Sequence, residues 1–344
     1  MTSRVRACRH LSGALYLAIC CGLLGGCGIT STNVGNSVPT GGSSASANVI
    51  PSGAQLGVAW SPADATLRPI VGVPGSAQFG ASVVSPGSYS NAAYSAQGQV
   101  ALIADNKGDL YLLSLTASSQ PALLTQGIAQ NSVMRFSPLG GYAIVYAPGA
   151  SSATLISGLP KQPVASQVSA GAPIQAATVS DADTLLLATT AAGGIAINTI
   201  TASAMRSSVA TLAGFGGMVF LPGSEDILLA DSVANTLARL HSGTLQMLAT
   251  SKDGLNQPLA VAASLDNHWA VTANRADGTL VRVDLTSLTP SVRSTCSCSP
   301  AALLPLNGNA VFQLTAPGTA ASWMIEADDL VPRVLFIPPV RRAS

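Results

Sequence analysis

FSPLGGYAIVYA, the stretch from Phe136 to Ala147, contains an apolar run that follows a turn of Ser, Pro and Gly. Comparable apolar runs are spaced 41 to 43 residues apart, and they end at Ala104, Tyr146, Ala188, Ala230, Ala273 and Leu314. Around each run the sequence reads as a strand, a turn such as SPLGG or LPGSED, a second strand, a polar turn such as DNKGD or NRADG, a third strand and a weaker fourth one. Four short antiparallel strands in about 40 residues are typical of one blade of a β-propeller.

The number of blades follows from the same spacing. Six units lie between about Asn91 and Pro338, and GVAW, ending at Trp60, falls close to one period before Ala104. The strand-like stretches LRPIVGV and QFGASVV follow it, so the sequence predicts an all-β fold, a β-propeller of seven four-stranded blades. Six blades remain as the alternative if the N-terminal strands only complete the last blade. In both cases we expect the two termini to share one blade, because a ring closed by strand pairing has no open edge.

The N-terminus carries the features of an export signal. Three arginines precede residue 10, and the apolar stretch Leu11–Leu24 is too short to cross a bilayer, which takes about 20 residues. The stretch ends in Leu-Gly-Gly-Cys27, which resembles a bacterial lipobox. The resemblance implies a lipoprotein signal peptide over residues 1–26 and a diacylated Cys27. An ordinary signal peptide and an uncleaved anchor are the alternatives.

The next segment, residues 27–50, is rich in Ser, Gly, Thr and Asn and has no charge. Such a segment buries too little apolar area to fold, so we expect a flexible tether before a propeller over residues 51–344. Only 9% of the chain is charged and its net charge is +1, with no basic cluster beyond the N-terminus. These values disfavour a nucleic-acid partner, and a monomer that contacts the membrane through its lipid is expected.

Several repeats resemble known propeller families. ILLADSVANTLARL, Ile227–Leu240, looks like an NHL-type repeat, and AVTANRADGTLVRVDL, Ala270–Leu285, resembles the YVTN-type surface-layer repeat. The SPLGG hairpin resembles one shared by those families and by TolB-like propellers. Propellers of these kinds include binding scaffolds, lactonases and lyases, so the resemblance implies the fold without fixing an activity.

Polar residues recur at one place in three of the repeats. Asp105, Asp231 and Asn274 each follow a second strand, and together they predict either a weak polar or cation-binding face of the ring or three side chains that each close their own turn. Turn closure is favoured, because a repeat explains the recurrence without a ligand. Arg239 and Arg282 recur on third strands and are expected to face solvent.

Two cysteines, Cys296 and Cys298, remain once the signal peptide and Cys27 are set aside. In an oxidising compartment they predict a local disulfide or two inert thiols. A metal site is disfavoured because it needs three or four convergent ligands, and His241 and His268 do not lie near them in sequence. We expect neither a metal nor a cofactor.

The chain contains no G-x-S-x-G, H-E-x-x-H, P-loop or G-x-G-x-x-G motif. The sequence therefore favours a non-catalytic binding or scaffold module, lipid-anchored in a bacterial cell envelope, for a protein or other envelope ligand. By resemblance to lipoprotein sorting in enteric bacteria, Gly28 after the cysteine favours the outer membrane. The alternative is a propeller enzyme of lactonase, lyase or hydrolase type with a site at the channel mouth.

Overall fold

The computed structural model describes residues 54–116, 120–201 and 205–339. These residues form seven antiparallel sheets in a ring, one for each sequence repeat, which we call blades I to VII. The predicted all-β, seven-bladed propeller is confirmed, and six blades are excluded. In the part of the chain that is described, no helix is both long and apolar enough to cross a bilayer.

The blades are built from 27 strands, numbered in chain order. Blade I contains β1 (Gln55–Ser61), β2 (Thr66–Val71) and β3 (Gln78–Phe79); blade II contains β4 (Tyr89–Ser95), β5 (Val100–Asp105), β6 (Leu110–Ser114) and β7 (Ala122–Thr125); blade III contains β8 (Val133–Phe136), β9 (Ala143–Tyr146), β10 (Ser152–Ser157) and β11 (Val164–Ser169); blade IV contains β12 (Ile174–Val179), β13 (Leu185–Ala191), β14 (Gly194–Ile200) and β15 (Arg206–Leu212). Blade V contains β16 (Phe215–Phe220), β17 (Ile227–Asp231), β18 (Thr236–His241) and β19 (Thr244–Ala249); blade VI contains β20 (Pro258–Ala263), β21 (Trp269–Asn274), β22 (Thr279–Asp284) and β23 (Thr289–Thr295); blade VII contains β24 (Leu304–Pro305), β25 (Val311–Gln313), β26 (Ser322–Glu326) and β27 (Arg333–Ile337).

The apolar runs of the sequence are the second strands of blades II to VII. A second strand has a hydrogen-bonded neighbour on each side, and both faces of its sheet pack against other blades. Most residues of these strands are therefore apolar, and β17 is buried at every position. This burial on both faces is why the runs dominate the sequence pattern.

The core lies between the blades. Seven clusters of buried apolar side chains each combine residues of two neighbouring blades, so that every seam of the ring is filled. The seam between blades VII and I contains Leu56, Ile70, Leu306 and Ile337. Ring closure therefore rests on packing between the first and last blades.

The expectation that both termini share one blade is wrong for the described residues. All four strands of blade VII come from Leu304–Ile337, and the three strands of blade I come from Gln55–Phe79. The physical reason is that the C-terminal repeat already supplies a complete sheet, so it has no vacant position for an N-terminal strand. In blade I the described residues supply three strands, β1 to β3.

The turns between the first and second strands of blades II to VII lie on one face of the ring, which we call the hairpin face. Polar side chains tie these turns together. Asp181 in blade IV accepts hydrogen bonds from the Leu139 N–H at 2.8 Å and from the Gly223 N–H at 2.9 Å, and thereby connects blades III, IV and V. Asn309 in blade VII accepts from the Asp266 N–H in blade VI at 3.0 Å.

Three predictions concern residues outside the described range. The signal peptide over residues 1–26, the lipidated Cys27 and the tether to residue 50 all precede Ala54, where the description of the structure begins.

Candidate binding site: the central channel

The inner strands of the blades surround a central channel of about 630 Å³. In blades II to VI the lining comes almost entirely from the first strands, whereas in blade I it comes from β1 and β2. Alanine, valine, leucine, methionine and phenylalanine side chains make up most of the wall. A concave and mainly apolar cavity with a few polar groups is the usual form of a small-molecule site.

Arg135 on β8 is the single charged side chain of this lining as far as the structure describes it. It is exposed, forms no ion pair with a described carboxylate, and donates from Nη1 to the neighbouring Met134 carbonyl at 3.3 Å. An arginine without an acidic partner keeps most of its donors available to a carboxylate or phosphate. The channel is therefore suited to a ligand that is apolar over most of its length and carries an anionic or acceptor group.

Two tyrosines add neutral polar groups to the channel wall. The Tyr94 hydroxyl donates to Asn307 Oδ1 at 2.8 Å, and burial raises the pKa of Tyr94 to about 12 although this hydrogen bond acts in the other direction. Burial likewise raises the pKa of Tyr146, against the opposing effect of the Arg135 charge. Both hydroxyls stay protonated at neutral pH, so they can donate hydrogen bonds but cannot act as general bases.

The predicted face of Asp105, Asp231 and Asn274 lies opposite the hairpin face, at the turns between second and third strands. The side chains there bond to the protein's own backbone. Asp105 Oδ1 accepts from the N–H groups of Lys107 and Asp109 at 2.8 and 2.9 Å.

Asp231 and Asn274 do more than close a turn. The Asp231 carboxylate accepts four backbone hydrogen bonds, two from its own turn and two from the segment that leads into blade V: Ala213, Gly214, Val233 and Ala234 are the donors, at 2.6 to 3.1 Å. Asn274 accepts from the Asn256 N–H at 3.0 Å and donates to Gly254 O and Thr279 Oγ1, both at 2.8 Å. Through these hydrogen bonds, each side chain connects its own turn to the segment that leads into the first strand of the same blade.

Arg282 is buried, which contradicts the expectation that it faces solvent. Only 3% of the residue is exposed, and its guanidinium lies 3.9 Å from the centre of the Trp269 ring. It donates to the carbonyls of Ala327 at 2.7 Å and Leu330 at 3.0 Å in blade VII. These hydrogen bonds compensate for the burial of the Arg282 charge. The sequence around Arg282 does not reveal them, because the two carbonyls lie far along the chain.

Arg239 and the two histidines lie away from the channel lining. Arg239 and His241 share the carboxylate of Asp226, at 3.0 Å from Arg239 Nε and 2.9 Å from His241 Nδ1. His268 stacks on Trp269 at 4.0 Å between ring centres. Neither imidazole is placed to act on a molecule in the channel.

Cys296 and Cys298 are joined by a disulfide and pack beside the core between blades VI and VII. Within the described ranges no group of three or more His, Cys, Asp and Glu side chains is arranged to hold a metal ion. The disulfide is therefore part of the packing between blades VI and VII.

Sequence reasoning did not single out Arg135. The sequence did contain one indication of it. Arg135 lies between Met134 and Phe136 on a first strand, just before the SPLGG turn. Seeing that it enters the channel required knowing that the first strand of each complete blade is innermost.

Comparison with known proteins supports the fold. The chain matches no family model and no curated protein. Among solved structures, a functionally unknown protein from Desulfotomaculum acetoxidans has a TM-score of 0.55 at 10% identity, covering 83% of this chain and 100% of that one. The Cps50 (Swd1) β-propeller domain of Myceliophteria thermophila has a TM-score of 0.55 at 12% identity, with 73% and 87% covered. Virginiamycin B lyase from Staphylococcus aureus has a TM-score of 0.52 at 11% identity, with 71% and 82% covered.

At these identities the similarity concerns the propeller fold alone. The matches include an enzyme, a propeller domain and a protein without known function, so the function has to be argued from the channel and its lining.

Proposed function

We propose that this protein is a lipid-anchored β-propeller of the bacterial cell envelope that binds a ligand or protein segment at its central channel without transforming it. The observation that carries the proposal is the channel lining, which offers apolar area, one unpaired arginine and neutral hydroxyl and amide groups. We also propose that its repeats are related to the NHL- and YVTN-type repeats that the sequence resembles.

The chemistry of the lining favours binding over catalysis. Acid–base catalysis at neutral pH is favoured by a carboxyl or imidazole group within reach of the substrate, and a calcium-dependent lactonase needs several converging carboxylate or amide oxygens. The described lining contains no Asp, Glu or His. Two of its amides are already engaged: Asn91 Nδ2 donates to Ser132 O at 2.7 Å, and Gln175 Nε2 donates to Thr190 Oγ1 at 2.9 Å.

The envelope location rests on the N-terminal sequence. The arginine-containing start, the apolar stretch Leu11–Leu24 and Leu-Gly-Gly-Cys27 support lipidation of Cys27. Gly28 after the cysteine supports the outer membrane. An oxidising compartment also agrees with the disulfide between Cys296 and Cys298.

A photo-crosslinking amino acid at Gln97 tests the proposal, because Gln97 is exposed and lines the channel near the hairpin face. Leu123 is the matched control, since it is 52% exposed on the outer strand β7. Irradiation of cells should give one discrete adduct at Gln97, absent at Leu123 and reduced at least about fivefold when Arg135 is also changed to Gln. Equal adducts at both positions would exclude the channel as the binding site.

Catalysis is tested with the ligand recovered from that adduct, or with small molecules retained during native purification. Incubation with the purified propeller should return the ligand with an unchanged mass. Turnover that is lost in the Arg135→Gln variant would favour the lactonase, lyase or hydrolase alternative.

A further inference from the structure

The central channel extends along the whole length of the inner strands. Its lining includes residues 91–97 in blade II, 133–138 in blade III and 259–263 in blade VI. Strands of about six residues span roughly 20 Å. The channel is therefore an elongated cavity, and a ligand that fills it has to be elongated as well.

The wall of the channel offers more apolar area than polar partners. Met218 and Val219 in blade V and Leu259 in blade VI line it and are only half-buried. Contact with an alkyl chain would remove their remaining apolar area from water, which is favourable. A peptide segment would bring an N–H and a C=O group with almost every residue, and the few polar side chains of the lining cannot serve them all. These properties favour an aliphatic ligand.

One polar subsite interrupts the apolar wall of the channel. Arg135 on β8 and Tyr146 on β9 both belong to the lining. Burial raises the pKa of Tyr146, while the Arg135 charge and a hydrogen bond with the Ala177 backbone act in the opposite direction. The Tyr146 hydroxyl therefore lies close enough to the guanidinium for its charge to act on it. Together the two groups can donate hydrogen bonds to both oxygens of one carboxylate.

The charge of this subsite sets the charge of the ligand. Arg135 is the one charged side chain that the structure describes in the lining, so a single negative charge neutralises it. A second negative charge would remain unpaired among apolar side chains, which is costly. A carboxylate carries one charge at neutral pH, whereas a phosphate monoester carries nearly two.

We propose that the channel binds one molecule of a linear aliphatic carboxylic acid, with the carboxylate at Arg135 and Tyr146 and the alkyl chain along the apolar wall. The inference rests on the proposed binding function of the channel and names the class of its ligand. The guanidinium binds the carboxylate through two parallel hydrogen bonds, and the Tyr146 hydroxyl donates a third. Arg135 thus decides which head group is accepted, whereas the wall binds the chain of an acid, an alcohol or an amine equally well.

Calorimetric titration with three ligands of equal chain length tests this assignment: decanoate, decan-1-ol and decylamine. The chain from residue 27 onward is used with Cys27→Ser, so that no detergent competes for the channel. Decanoate should bind at one molecule per chain and at least about tenfold more tightly than decan-1-ol, because only the acid forms charge-assisted hydrogen bonds. Arg135→Gln should remove this preference, and Arg135→Glu should transfer it to decylamine. Arg333→Gln, which changes an exposed arginine on the outer strand β27, should leave the preference unchanged.

Equal affinity of the wild type for decanoate and decan-1-ol would overturn the proposal, as would a preference for the acid that survives in Arg135→Gln. Tighter binding of decyl phosphate than of decanoate would also overturn it, because the subsite would then accept a second negative charge. The crosslinking experiment at Gln97 separates this proposal from the binding function itself. An adduct there with a protein segment or a neutral molecule would leave the binding function standing and overturn only the acid as its ligand.

Discussion

The carboxylate of Asp231 holds two connections of blade V, and its four backbone donors would be left without a partner if it were removed. We expect Asp231→Ala to lower the free energy of unfolding by about 3 kcal/mol, since unsatisfied buried donors are costly. Asp105→Ala, at the corresponding place with two turn donors and partial exposure, should cost about 1 kcal/mol. Chemical denaturation of both variants is the measurement. Equal losses would show that position in the repeat, rather than the number of bonds, decides the cost.

The hydrogen-bond partners of Asp226 predict how the stability of the protein depends on pH. Burial raises its pKa, but hydrogen bonds from Arg239 and His241 outweigh burial and hold the pKa below its usual value. A carboxyl whose pKa is lower in the folded state stabilises the fold above the unfolded-state pKa of about 3.9, and this contribution is lost as the pH falls through the folded-state value. Asp226→Asn should therefore destabilise the protein at pH 7 and flatten the decline of stability below pH 4.

The neighbouring exposed carboxylate offers the control for this pH dependence. Glu225→Gln should leave the curve of unfolding free energy against pH close to that of the wild type. If both variants give the same curve, the acid sensitivity comes from net charge and not from the Asp226 cluster.

At the scale of single elements, the sequence revealed second strands better than first strands. Second strands such as β17 are buried on both faces, so they appear as continuous apolar runs that recur with a constant period. First strands border the channel, and polar residues such as Arg135 and Gln175 interrupt their apolar pattern. The sequence alone therefore shows neither where these strands begin and end nor which polar groups line the channel. The buried state of Arg282 was equally hidden, because its partners are carbonyls of the next blade.

The segment after β23 carries the disulfide, and its size predicts a small energetic effect. Cys296 and Cys298 are two residues apart, so the bond closes a very short loop and restricts the unfolded chain little. Reduction with dithiothreitol should shift the melting temperature by no more than about 2 °C. Cys296→Ser with Cys298→Ser should behave like the reduced protein, and a much larger shift would mean that the bond holds blades VI and VII together.

For the molecule as a whole, the proposed lipid anchor on Cys27 predicts where the protein is found in the cell. Cys27→Ser should move the protein from the detergent-extractable membrane fraction to the soluble fraction, because the proposed acyl chains would provide its affinity for the membrane. Mass spectrometry of the wild-type N-terminus should show the lipid. A Cys27→Ser protein that still fractionates with membranes and carries no lipid would contradict the anchor.

Closure of the ring makes the C-terminal strand important for the whole propeller. Deleting Leu335–Ser344 removes Ile337, which is fully buried, and three of the five residue pairs between β26 and β27. Leu335 and Ile337 also fill the seam between blades VII and I, so the deletion opens the ring as well as shortening a strand. We expect the free energy of unfolding to fall by at least about 4 kcal/mol and the melting temperature to fall by about 10 °C. Copies of the truncated protein should also associate through the exposed sheet edge. Deleting only Val340–Ser344 leaves β27 whole and is the control in circular dichroism melts. If the longer deletion melts like the shorter one, the seam does not close the ring, and the stability of the propeller has to reside in pairs of neighbouring blades.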